Sequence, residues 1–215
     1  MLVIFVFVGL IALPGFLLFY KAPSCYDDKK NGDESGVDCG GSCQLICKAE
    51  SLPLLTKGDP RLLTVSTGVY EVVALVENPN NDAEISRLGY IFKIYNATSS
   101  LPVKTIEGET FVPKGAVFAI FERPFNLEAG VVPKRATLEW KKETIVWQKN
   151  VTVVPELRVR DKVLSRASTS PRLDVQVENP SLQAVSNVEL VALLSDAQGN
   201  VFAASSTFLD GVAPG

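Results

Sequence analysis

The sequence predicts an all-β chain: two tandem β-sandwiches, the second truncated, behind one N-terminal transmembrane helix. Three observations carry this. Seventeen of the first 20 residues are apolar. From Leu52 onward the chain is built of short Val-, Ile-, Thr-, Tyr- and Phe-rich runs punctuated by Pro, Gly and Asn. Those runs recur with a period of about 100 residues.

The leader, MLVIFVFVGLIALPGFLLFY, holds no charge before Lys21. As a helix, 20 residues at about 1.5 Å each reach about 30 Å, the thickness of a bilayer core. Pro14 and Gly15 are tolerated inside a membrane helix. A cleaved signal peptide would need a basic n-region, a shorter apolar stretch and a small-x-small junction. The start has no basic residue and the junction reads LFYKAPSC, so residues 1–20 are read as an uncleaved signal anchor. Lys21 alone would weakly favour a cytoplasmic body, and the cysteines argue for the other side.

Once the leader is set aside, about 43% of the remaining residues are apolar, ordinary for a globular body. With 21 basic and 24 acidic residues, net charge −3, no nucleic-acid partner is expected. The chain has no histidine, which removes Ser-His-Asp and Cys-His triads, His-ligated metals and a histidine general base. No thiol follows Cys47. The chain is read as non-catalytic.

Residues 21–50 form a disulfide-rich module. Cys25, Cys39, Cys43 and Cys47 crowd into 23 residues, with 13, 3 and 3 residues between neighbours. Structural zinc sites pair their cysteines as C-x2-4-C twice, whereas here Cys25 stands alone, so two disulfides in an oxidising compartment are expected. Three connectivities are open. Asp27, Asp28, Asp33, Glu34 and Asp38, with Asn31 and Gly32 among them, are read as a solvated turn. A calcium loop through Asp27, Asn31, Asp33 and Asp38 is the alternative; it lacks the closing Glu of an EF-hand. No other cofactor is expected.

The segment resembles a short module, C-x-D-x3-N-G-x-E-x2-V-D-C-G-G-x-C, that recurs in secreted and surface proteins of bacteria and archaea. Cys25, Asp27, Asn31, Gly32, Glu34, Val37, Asp38, Cys39, Gly40, Gly41 and Cys43 meet it. The resemblance implies a body outside the cytoplasm.

Within the body, apolar or alternating runs at 61–66, 69–78, 85–96, 116–125, 136–140 and 144–154 read as strands spaced about ten residues apart. Val76-Glu77-Asn78-Pro79 recurs as Val177-Glu178-Asn179-Pro180; Ile85-Ser86 aligns with Val185-Ser186, and Asn96 to Gly115 with Asp196 to Gly215. Residues 51–155 are therefore one sandwich and 156–215 an incomplete second. In each copy the Asn-Pro is expected to end a strand, a structural role, because Pro cannot donate to a ladder and holds the preceding residue extended.

Phe92-Lys93-Ile94-Tyr95-Asn96 resembles the F-x-L-Y-D signature of the FxLYD family of small extracytoplasmic β-sandwich domains, with Ile and Asn substituted. Its aligned partner, Ala192-Leu193-Leu194-Ser195-Asp196, keeps Leu and Asp and lacks both aromatics; Ala-Gln-Gly-Asn follows as a hairpin turn. The preceding Val-Glu-Asn-Pro and the following Pro-Lys-Gly or Ala-Pro-Gly sit where that family has a strand and a turn. An Asn-Pro-Asn start also resembles the sandwich-type late-embryogenesis-abundant proteins. Both resemblances imply an immunoglobulin-like architecture and neither implies catalysis.

After Gly115 the first copy continues for about 40 residues, through Phe118-Ala119-Ile120-Phe121, Thr137-Leu138-Glu139-Trp140 and Ile145-Val146-Trp147; the second copy has no such continuation in this sequence. The natural protein is expected to run past Gly215, or a partner strand to complete the second sandwich. Trp140 and Trp147, on successive strands of a hairpin, are expected in the core rather than on a sugar- or peptide-binding platform. Lys134-Arg135 and Lys141-Lys142 are read as solvated turns and edge protection. Asn96-Ala97-Thr98 and Asn150-Val151-Thr152 match the glycosylation sequon.

Together these readings describe a single-pass cell-membrane protein with its body outside the cytoplasm, its sandwiches mediating protein interaction or adhesion with a protein or cell-envelope partner. The alternatives are an accessory region of a larger envelope enzyme or secretion component, and a stress-protective protein of the late-embryogenesis-abundant kind.

Overall fold

The computed structural model describes residues 22–149, 157–167 and 171–215, and the leader read as a membrane anchor lies outside them. Among the described residues no helix is long and apolar enough to cross a membrane. The described residues up to Glu50 form one compact unit and those from Ser51 to Gly215 a second.

Among the described residues the second unit is all-β, and its strands pair antiparallel. Its first repeat contributes β1 (Leu55–Thr56), β2 (Arg61–Ser66), β3 (Val69–Glu77), β4 (Ala83–Asn96), β5 (Lys104–Val112), β6 (Val117–Asn126), β7 (Pro133–Trp140) and β8 (Gln148–Lys149). One sheet is centred on β3, which pairs with β1, β2 and β6; the other is centred on β4, which pairs with β5, β7 and β8. Both central strands earn their position through alternation. Tyr70, Val72, Ala74 and Val76 of β3 are buried, as are Tyr90, Phe92 and Ile94 of β4. Val72, Ala74, Val76 and Ile120 from the first sheet meet Tyr90, Phe92, Ile94 and Ala136 from the second in one buried cluster.

On β4 the buried positions change parity, from Ala83 and Ile85 to Leu88, Tyr90, Phe92 and Ile94. A β-bulge at Ser86-Arg87, where two residues oppose Phe111 of β5, absorbs the extra residue and keeps both halves facing inward. Asn187, aligned with Arg87 in the second copy, has φ +56°, but there the pairing of Ser186 with Gly211 and of Val188 with Leu209 keeps one register, so the bulge does not recur.

The second repeat contributes β9 (Arg158–Ser165), β10 (Arg172–Glu178), β11 (Val185–Ser195) and β12 (Val201–Val212). β9 pairs with β10 as β2 does with β3, and β11 with β12 as β4 does with β5. The sequence repeat is thus a repeat of two hairpins. Phe92, Ile94 and Val76 are fully buried, whereas their counterparts Ala192, Leu194 and Val177 are half-buried.

Beyond β5 the first repeat departs from the sequence reading in one respect. The described part of the predicted 144–154 strand does not pair with β7: β7 pairs with Tyr90 to Asn96 and β8 with Ala83 and Glu84, so one interrupted strand runs along β4, broken by a 3-10 turn at Lys142–Thr144. Trp147, in that break, is buried, and Trp140 at the end of β7 packs against the core cluster. Both tryptophans therefore serve the core.

Val73 faces away from the core cluster's side of β3, yet it is only 2% exposed. The turn between β11 and β12 explains this. Gly199 and Val201 line a small cleft of about 60 Å³ with Val73, Leu75 and Arg61, and the Arg61 guanidinium donates to Asn200 Oδ1 at 3.3 Å.

Candidate functional site

The cysteine module closes through Cys25–Cys43 and Cys39–Cys47, and no cysteine is free. The two bridges overlap in sequence, so each loop contains one end of the other. With so few residues to bury, the covalent closure replaces a hydrophobic core; two such bridges restrict the unfolded chain by about 2–4 kcal/mol each.

The remaining motif residues build the loops between the bridges. Asp38 turns back on the chain: its Oδ1 accepts from the Asp27 N–H at 3.0 Å and its Oδ2 from the Asp28 N–H at 2.9 Å. Asp27 Oδ1 accepts from the Lys29 N–H at 3.1 Å, and its Oδ2 from Asn31 Nδ2 at 2.9 Å. Glu34, buried, accepts from the Asn31 N–H at 3.0 Å. Gly36 carries no side chain because an ideal Cβ there would stand 2.8 Å from the sulfurs of both Cys39 and Cys47.

Of the four oxygen-bearing residues considered for calcium, Asp27, Asn31 and Asp38 are joined through these bonds, while Asp33 is directed to the Ser42 hydroxyl at 2.8 Å. Their carboxylates hold turn N–H groups, which is what a folded loop with few other acceptors requires. The ligand-type atoms of Cys25, Glu34 and Cys43 lie within 4.8 Å of one another. Both sulfurs are consumed by a disulfide, however, and a disulfide sulfur is not a thiolate ligand. Glu34 Oε1 touches the Cys43 sulfur at 3.3 Å without a hydrogen bond, since that sulfur carries no proton.

In the second unit the repeated Asn-Pro builds a buried polar site. Asn78, 1% exposed, donates through Nδ2 to the carbonyls of Ala83 and Pro113, each at 2.8 Å. Its Oδ1 accepts from the N–H of Asn80 at 3.0 Å and from Asn80 Nδ2 at 2.9 Å. Asn80 in turn exchanges bonds with the Leu52 backbone, at 2.7 and 2.9 Å. Asn179, fully buried, repeats the device on Gln183 O at 2.8 Å and Val212 O at 3.0 Å, with Ser181 donating to its Oδ1. Each carboxamide spends all of its hydrogen-bonding capacity on the fold.

The F-x-L-Y-D-like residues are likewise structural. Phe92 and Ile94 lie in the core, Lys93 pairs with Glu139 at 2.8 Å, and the Arg135 guanidinium stacks 3.8 Å over the Tyr95 ring. Asn96 caps the following turn by accepting from the N–H groups of Thr98 and Ser99. Its aligned partner Asp196 accepts from Asn200 Nδ2 at 3.0 Å and from the N–H groups of Asn200 and Gln198, which lowers the Asp196 carboxyl below its ordinary value. Lys141, one of the basic pair, bonds Glu107 at 2.6 Å. The second sequon residue, Asn150, lies outside the described residues.

One pair joining a buried tyrosine to a half-buried carboxylate escaped the sequence reading. The Tyr90 hydroxyl donates to Glu122 Oε1 at 2.7 Å, with the Tyr90 ring lying over Gly108 on the neighbouring strand. Burial, then the hydrogen bond to Glu122, pushes the Tyr90 phenol well above its usual value. Glu122 is raised chiefly by burial, opposed by the Tyr90 bond and reinforced by the charge of Glu189 in the second repeat. Nothing in one-dimensional spacing joins residues 90 and 122; only the pairing of the two sheets does.

Compared with known proteins, the chain matches no protein-family model and no curated sequence.

Proposed function

We propose that this chain is a membrane-anchored, non-catalytic protein of the cell surface or envelope, whose two immunoglobulin-like β-sandwiches of the FxLYD type mediate protein interaction or adhesion. The observation that carries the reading is the pair of disulfides in the module that directly follows the apolar leader. Disulfides persist in oxidising compartments, and a 20-residue apolar stretch beside them matches a bilayer core in length.

The lack of histidine and the consumption of every cysteine support a binding role over a catalytic one. So does the use made of the repeat's signature residues, which go into core packing and turn caps. The F-x-L-Y-D resemblance supports the sandwich type. A scaffold that spends its own polar groups internally leaves recognition to strand edges and exposed faces.

The test is protease treatment of intact cells expressing the full chain, beside carbonate extraction of their membranes. Digestion of the body in intact cells and retention in the membrane pellet support the proposal, with release on deletion of residues 1–20. Protection of the body until the cells are permeabilised would overturn the placement.

A further inference from the structure

Asn96-Ala97-Thr98 opens the turn from β4 to β5, and that turn uses only one end of the Asn96 carboxamide. Oδ1 accepts from the N–H groups of Thr98 at 3.2 Å and Ser99 at 2.8 Å, with the Thr98 hydroxyl 3.5 Å away. Nδ2 donates to no group among the described residues and is not enclosed. Ala97, Thr98, Ser100 and Leu101 are exposed. The aligned turn of the second repeat is capped by Asp196, whose Oδ1 accepts from the N–H groups of Gln198 and Asn200. A carboxylate at position 96 would serve the turn equally well, so the turn accounts for Oδ1 and leaves Nδ2 over.

An asparagine two residues before Thr, with any residue but Pro between, is the acceptor pattern for N-linked sugar and needs an exposed loop. Position 96 meets both conditions. Asn179-Pro180-Ser181 meets neither: Pro stands between, and Asn179 is buried with Nδ2 donating to two carbonyls.

We propose that Asn96 is an N-glycosylation site, its glycan transferred to Nδ2 from a lipid-linked sugar diphosphate outside the cytoplasm. In that step a bond forms between Nδ2 and the anomeric carbon, and the bond from that carbon to the diphosphate oxygen breaks. The lipid diphosphate leaves with the electron pair, and one Nδ2 proton passes to a base of the transferring enzyme; nothing is oxidised or reduced. Oδ1 is untouched, so the cap survives. The sugar would stand beside two exposed apolar residues: Leu101 in the same turn, and Val132, which precedes Pro133 opposite Asn96 on β7. Covering them with a bulky polar group would keep this end of the first repeat from associating with other chains. The inference rests on the placement outside the cytoplasm proposed above.

The test is mass spectrometry of the full chain isolated from the membranes of the cells that naturally make it, with fragmentation that localises added sugar. Hexose or N-acetylhexosamine mass on Asn96 supports the proposal. An unmodified Asn96 overturns it, as does sugar on Thr98 or Ser99 with Asn96 bare. In the same cells Asn96→Asp and Thr98→Ala should each abolish the modification, and Thr98→Ser should keep it. Asn96→Asp retains the cap, so the sugar is lost without the fold, and sugar mass that persists in this variant contradicts the assignment. Protease treatment of the intact cells separates the two possible failures. A bare Asn96 on a body digested from outside counts against the glycan alone; on a protected body it counts against the placement as well.

Discussion

Asn78 and Asn179, 101 positions apart, hold the same post: each is buried at the end of a strand, and each Nδ2 bridges two carbonyls, Ala83 and Pro113 in one case, Gln183 and Val212 in the other. The carbonyls lie at or just before the start of the next strand and at or just past the end of the one after it. A single side chain therefore ties a sheet-to-sheet crossover to the hairpin it feeds, in both copies of the repeat.

Replacing Asn78 with Ala strands two buried carbonyls, at a cost of roughly 1–3 kcal/mol for each that water does not reach. Asn78→Asp loses the same two donors and adds a buried charge, so it should be at least as damaging at neutral pH. Chemical denaturation of each variant should show a fall in midpoint. Asn179→Ala should cost less, because the second repeat buries its neighbours less completely.

Gly108 is fixed by Tyr90, whose ring occupies the space a β-carbon would need. Gly108→Ala should destabilise by about 1–3 kcal/mol through overpacking, and Tyr90→Phe should relieve little of it because the ring remains. The double variant, read by thermal unfolding beside the singles, measures that coupling.

Glu122 gives the second, all-β unit a pH signature. Its folded carboxyl is raised, so the folded state holds the proton more tightly than the unfolded chain. The stability this contributes is fully present below the unfolded value near 4.5 and is lost as pH rises through the folded value. Glu122→Gln keeps an acceptor for Tyr90 and carries no charge. Unfolding free energies measured from pH 4 to 8 should therefore decline less steeply for the variant than for the parent.

Calcium should bind the cysteine module weakly at most. Asp27 and Asp38 already accept turn N–H groups, and Asp33 is directed to Ser42. Calorimetric titration of the intact chain should give no micromolar isotherm; a micromolar isotherm would reverse the assignment of these acids to turn formation.

The parts of this architecture legible in the sequence are those written in local pattern. The Val-Glu-Asn-Pro repeat, the alternation of Val72, Ala74 and Val76, and the crowding of four cysteines are visible in one dimension because neighbouring residues produce them. Trp140 and Trp147 were legible as core residues, for large aromatics on strands bury more often than they bind. The Ser86-Arg87 bulge was not, since an extra residue in a strand shows only against the strand it faces. Nor was the disulfide pairing, for which spacing leaves three solutions, or the Tyr90–Glu122 bond, which depends on how two sheets stack. The continuation of β7 into β8 along β4 was misread as a hairpin because a 3-10 turn and a hairpin turn share the same residue types.

The most direct measurement of the central claim, a disulfide-closed body held outside the cytoplasm, is thiol labelling of the full chain in intact cells with a membrane-impermeant maleimide. The account predicts no label before reduction and four labelled cysteines per chain after an impermeant reductant is applied to the unbroken cells. Label taken up without reduction, or none until the cells are broken open, would contradict it.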